Sequence, residues 1–121
     1  MRHERWDLPV FVEMPVFQRL REEYLSDESY RLFQALLLAT PESGVLIRHT
    51  GGLRKLRFED ARRGKGRRGG LRIIYYYWTG GSEIWLFTIY GKDEMTDLSD
   101  SERNELRRML QNELHARHIY K

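Results

Sequence analysis

The sequence predicts an α+β fold, a mostly antiparallel sheet of about four strands with two N-terminal helices and one C-terminal helix, in a single domain over residues 1–121. Three observations predict it. Apolar residues recur at helical spacing near both ends of the chain, the stretch from Leu53 to Tyr90 reads as three strands, and Gly or Pro clusters separate these segments.

Val10, Phe11 and Val12 form a short β-like run. Pro15 then sits where a first helical turn tolerates it, because the amide proton it lacks would go unpaired there in any case. Phe17, Leu20 and Tyr24 follow at helical spacing and predict a helix from about residue 15 to 24. Ser26 is a suitable N-cap for a second helix, and Asp27 and Glu28 complement the positive end of its dipole. Tyr30, Phe33, Leu36 and Leu37 make that helix's buried stripe, which Pro41 and Gly44 bring to an end.

From Leu53 to Phe58 the residues alternate, with Leu53, Lys55 and Arg57 on one face and Arg54, Leu56 and Phe58 on the other. Beyond the loop from Glu59 to Gly70, Leu71 to Trp78 is a long apolar run, and Thr79-Gly80-Gly81 turns it back into Ile84 to Tyr90. Both of these strands are apolar on both faces, which places them at the centre of a sheet covered by helices. Ser99 and Glu102 have the spacing of a capping box, and Leu106, Met109, Leu110 and Leu114 form the stripe of the closing helix.

A chain of 121 residues is long enough for one hydrophobic core and short for two. With no cysteine it can form no disulfide, no thiolate-ligated zinc site and no thiol nucleophile. No segment approaches the roughly 20 apolar residues that cross a bilayer, and the first residues lack the apolar run of a signal peptide. The expectation is a cytoplasmic protein that does not engage a membrane.

The net charge of +3 conceals a polarised chain: Arg48 to Arg72 holds ten Lys or Arg against Glu59 and Asp60, and the remainder is acidic. Clustered cations on such a body are the footprint expected for a polyanion, because each neutralised phosphate releases condensed counterions. If the strands pair, Lys55, Arg57 and Arg72 converge on one patch, where an anion relieves their repulsion. The plainer alternative is that these cations blunt a sheet edge or solvate its open face.

In the loop, Arg62, Arg63, Lys65, Arg67 and Arg68 alternate with glycines, which suits tracking a phosphate chain rather than positioning one reacting atom. Tyr75 to Trp78, with Trp85 and Phe87, have the rings to stack on bases, although such rings more often form core. Tyr90 ends its strand beside Gly91 and Lys92, where a phenol can reach an active surface. His115 and His118 read as a solvated helix end, and Asp93, Glu94 and Asp97 as acids drawn to a helix N-terminus, so neither metal nor other cofactor is expected.

The segments Gly-Gly-Leu-Arg-Lys, Gly-Gly-Leu-Arg-Ile-Ile-Tyr-Tyr and Tyr-Gly-Lys-Asp-Glu, in that order, resemble the RelE/HigB superfamily of bacterial toxins, and most of all its HigB-type branch. The likeness covers residues from about 8 to 114. It implies a small RelE-like α+β fold and the toxin of a type II toxin–antitoxin system, a ribosome-dependent mRNA endoribonuclease. That chemistry is metal-independent and uses the RNA's own 2′-hydroxyl as nucleophile.

Carried over by position, the resemblance makes Lys55 base or electrostatic clamp, sets Arg57 and Arg72 on the scissile phosphate, and gives Arg54 and the loop cations a share in binding RNA. Asp93 and Ser99 stand where RelE has a further arginine and a tyrosine, which leaves Lys92 or Tyr90 to supply the acid. The implied partners are the ribosome, mRNA and a cognate antitoxin of HigA-like helix-turn-helix type, with DNA met only through the antitoxin complex. Two alternatives are a non-enzymatic basic RNA- or DNA-binding module and a regulatory partner-binding protein whose basic surface meets an acidic protein.

Overall fold

A computed structural model describes residues 8–61, 70–95 and 97–119. Strand β1 (Val10–Glu13) leads into helices α1 (Pro15–Tyr24) and α2 (Asp27–Ala39); strands β2 (Val45–Leu46), β3 (Arg54–Phe58), β4 (Leu71–Trp78) and β5 (Glu83–Gly91) precede helix α3 (Asp100–Ala116). The sheet order is β1-β5-β4-β3-β2. Three of its pairs are antiparallel, and β1 lies parallel to β5 with Val10 opposite Glu83.

The α+β class and the three helices match the sequence expectation, but the sheet has five strands rather than about four. The additional strand is β2, two exposed residues at the edge that pair with Arg54 and Lys55. So short a strand, solvated on both sides, has no alternation by which to recognise it.

Local chemistry sets the helix boundaries. α1 begins at Pro15 with no side-chain cap, and α2 begins where Ser26 accepts the Ser29 amide at 3.1 Å. At α3 the capping box is complete: the Ser99 hydroxyl accepts from Glu102 N (3.1 Å) and the Glu102 carboxylate accepts from Ser99 N (2.8 Å). The two reciprocal bonds satisfy two amides that the helix itself cannot.

The sheet separates two apolar layers. Leu56, Leu71, Ile73, Tyr75, Ile84, Leu86 and Ile89 pack against Phe17, Tyr24, Phe33 and Leu37 of α1 and α2. On the other face Leu53, Ile74, Tyr76, Trp85 and Phe87 pack against Leu106, Leu110 and Leu114 of α3. Tyr75 and Tyr76 are thus core residues, not a platform for bases.

One irregularity in β5 decides which face of the sheet Tyr90 joins. Ile74 pairs with Thr88 but Tyr75 pairs with Leu86, so Phe87 is a bulged residue. In a regular strand residues 84, 86, 88 and 90 would share a face. The bulge shifts the phase: Ile89 joins Ile84 and Leu86 in the α1/α2 layer, and Tyr90 turns to the α3 face with Trp85 and Phe87.

Candidate anion site on the sheet

At the end of the sheet where α3 begins, three residues form a row across three strands. Arg57 pairs with Arg72 in the β3–β4 register, and Arg72 pairs with Tyr90 in the β4–β5 register. Directly opposed residues of antiparallel strands point to the same face, so the two guanidiniums and the phenol share one surface. Lys55, two residues from Arg57, lies on that face as well, opposite Ile74.

Arg72 is only 3 % exposed, and its Nη1 donates to the Leu71 carbonyl at 3.1 Å. Burial first, and the neighbouring charge of Arg57 second, hold its guanidinium below the usual arginine value. Two cations side by side, one nearly dry, raise the positive potential of this patch. The Tyr90 phenol is raised above its ordinary value by burial and then by the Asp97 carboxylate, with Arg72 opposing. Its hydroxyl is buried and has no hydrogen-bond partner among the described residues.

Lys55 Nζ lies 3.7 Å from Asp97 Oδ1. Asp97 accepts from the Leu98 amide at 2.8 Å, and that bond first, with the Lys55 and Arg103 charges also contributing, holds its carboxyl below the ordinary aspartate value. The acids before α3 therefore act through specific contacts and not merely through the helix dipole. Glu94 is a tether: its Oε1 accepts from the Gly91 amide (2.8 Å) and from the Tyr24 hydroxyl (2.6 Å), fastening the end of β5 to α1. A Cβ at Gly91 would stand 2.9 Å from that oxygen, so the tether also accounts for the glycine.

Lys92 follows directly, half-buried, and its amide donates to the Gly70 carbonyl at 3.0 Å, which places it at the root of the basic loop. Arg62, Arg63, Lys65, Arg67 and Arg68 lie outside the described residues. Arg54 is not part of the row. It opposes Tyr75 on the α1/α2 face, and its Nη1 donates to the carbonyls of Glu42 (3.1 Å) and Gly44 (2.8 Å). Strand alternation already separates it from Lys55 and Arg57, so it braces the α2–β2 connection instead.

Beside Lys55 the surface opens into a cleft of about 420 Å³ whose polar lining includes Arg48, His49, Asp97 and Arg103. His49 adopts a left-handed backbone conformation (φ 64°) in the turn before β3. Neither this turn nor Arg103 of α3 is singled out by the sequence patterns, because helix and turn meet only through the tertiary fold. The positive charge of the Arg48–Arg72 segment was the available signal. Among the described residues no three His, Asp or Glu side chains converge as metal ligands, and no helix is long and apolar enough to cross a membrane.

No protein-family model matches the sequence. Among solved structures, a double mutant of the E. coli toxin RelE in the free state is similar to this chain, with a TM-score of 0.52 at 12% sequence identity. The match covers 81% of this chain and 96% of that one. The fold is RelE-like.

Proposed function

We propose that the protein is the toxin of a type II toxin–antitoxin system and that it cleaves mRNA on the ribosome, in the manner of the HigB-type branch of the RelE/HigB superfamily. The observation that carries this reading is the Arg57–Arg72–Tyr90 row, with Lys55 beside it, on a RelE-like fold. The row suits a reaction in which the protein supplies charge and proton transfer while the substrate supplies the nucleophile.

In that reaction the RNA 2′-oxygen bonds to the adjacent phosphorus and the bond from phosphorus to the 5′-oxygen breaks, leaving a 2′,3′-cyclic phosphate and a 5′-hydroxyl. One proton leaves the 2′-hydroxyl and one is delivered to the departing 5′-oxygen. Arg57 and Arg72 bind the phosphate oxygens, whose charge grows in the transition state. Lys55, engaged with Asp97, acts as a clamp, and Asp97 is the carboxylate beside it that takes the 2′ proton. Tyr90, the register partner of Arg72, supports that guanidinium from beneath and so orients the phosphate through it, and Lys92 protonates the leaving oxygen.

The partners follow from the same reading: mRNA and ribosome as substrate complex, a HigA-like helix-turn-helix antitoxin as inhibitor, and DNA only through the antitoxin. Primer extension on a message under translation tests it. New 5′ ends are expected with the wild-type chain and are lost with Arg57→Ala and Arg72→Met, folding being checked by circular dichroism. RNA binding without new ends would favour a non-enzymatic module and overturn the nuclease reading.

A further inference from the structure

Between α1 and α3, along the edge of β5, lies a second surface of opposite character. β1 pairs with β5 only from Glu83 to Leu86, after which the chain turns into α1 at Pro15. Among the described residues the second half of β5 therefore has no neighbouring strand on that edge. The Lys92–Gly70 hydrogen bond fixes the ladder phase, so that Tyr90 faces β4 with its backbone groups and Ile89 turns its own outward.

Here a groove of about 400 Å³ opens, its floor built from Val16, Leu20, Ile89, Leu98, Leu106 and Met109. Its charged lining is Glu94, Glu102 and Glu105, and no Lys, Arg or His appears among the described residues that line it. In a chain with 21 Lys or Arg against 18 acids this is a pronounced local reversal. The cleft beside Lys55, by contrast, is mixed in charge, with Arg48, Lys55 and Arg103 beside Asp97 and Asp100. Glu94 and Glu102 are held by internal hydrogen bonds, whereas Glu105 meets Arg108 on its own helix with both side chains more than half exposed. Tyr90, whose buried phenol has no hydrogen-bond partner among the described residues, also lines the groove.

An apolar floor with an acidic rim repels a nucleic acid and suits a polypeptide. We propose that this groove seats an amphipathic segment of a protein partner, with its apolar side chains on the Leu20, Ile89, Leu106 and Met109 floor and its Lys or Arg side chains against Glu102 and Glu105. Helix-in-groove recognition of this kind uses apolar anchors at i, i+3, i+4 and i+7. The groove does not overlap the Arg57–Arg72 pair, so the proposal stands apart from the nuclease reading. It shares only Tyr90 with that site.

The test is an amide chemical-shift titration of the full chain with a synthetic helical peptide carrying Leu at those positions and Lys between them, beside a counterpart with Glu for Lys. Saturable binding of the Lys peptide is expected, with shifts centred on Val16, Ile89 and Met109, and the Glu peptide should not bind. Glu105→Lys and Val16→Glu, both near the surface of their helices, should each weaken binding about tenfold or more while the rest of the spectrum is preserved. The proposal is overturned by shifts centred elsewhere, by affinity unchanged in both variants, or by the absence of saturable binding.

Discussion

Replacing Arg57 with alanine is expected to stabilise the free protein while removing its response to anions. Arg57 and Arg72 are register partners, and cross-strand neighbours stand about 5 Å apart at Cβ. Two unit charges about 6 Å apart repel by roughly 3 kcal/mol at an effective dielectric of 20 and by under about 1 kcal/mol in water. Arg57 is exposed and Arg72 is 3 % exposed, so solvent screens one partner and the lower figure governs. A gain of about 0.7 kcal/mol follows, or about 3 °C in melting temperature for a domain of this size.

Calorimetry in dilute, phosphate-free buffer reads this directly, and molar salt should erase the difference. Inorganic phosphate at 100 times its Kd should stabilise the wild type by about 2.7 kcal/mol, and the variant should respond far less. A variant that melts below the wild type without phosphate, or that gains equally from it, would show that the two guanidiniums do not share an anion.

Three further outcomes are expected. With Asp97 as proton acceptor, cleavage should be flat from about pH 5 to 8, because its carboxyl lies below the usual aspartate value and is already ionised there; an amine base of ordinary pKa, about 10.4, would make the rate climb tenfold per pH unit. Asp97→Asn should lower cleavage without weakening RNA binding in a filter assay. Tyr75→Phe should cost about 2–3 kcal/mol in urea melts, since the buried hydroxyl donates to the Pro41 carbonyl (2.8 Å) and accepts from the buried Gly44 amide (2.9 Å), which would be left unpaired. Ser99→Ala should cost about 1 kcal/mol through the lost capping box.

Alkali supplies a fourth check. Tyr30, Tyr75 and Tyr90 all have phenols raised above the ordinary value, mainly by burial. A folded pKa above the unfolded one contributes stability that is complete below about pH 10 and is lost as pH rises through the folded value. Melting temperature should hold steady to about pH 9.5 and fall beyond it, and Tyr30→Phe should shallow that fall. A flat profile to pH 11 would contradict the burial of these hydroxyls.

The legible parts of the fold are those governed by neighbours in sequence. Ser26 and Ser99 announce their helices because a cap acts within one turn, and the alternation from Leu53 to Phe58 sorts Lys55 and Arg57 from Arg54 before any partner strand is known. β2 escapes because two residues carry no period. The bulge at Phe87 escapes too, since an apolar strand covered on both faces gives no sign of a phase change. At the site, strand alternation puts Arg57 and Arg72 on one face only if β3 and β4 pair, and their register across the connection at residues 59–70 is known from the fold alone; the meeting of Lys55 with Asp97 requires α3 to dock, and no local pattern reports that.

The parallel pairing of β1 with β5 has a consequence for how the chain is made. Val10 emerges early in synthesis and its partner Glu83 late, so one edge of the sheet must wait until most of the polypeptide has been extruded. Nascent chains released before Glu83 would lack both that edge and the third member of the Arg57–Arg72–Tyr90 row. The Arg57–Arg72–Tyr90 row is thus completed in one late step, and folding should be slow for a small α+β fold because the contact from Val10 to Glu83 is so distant in sequence.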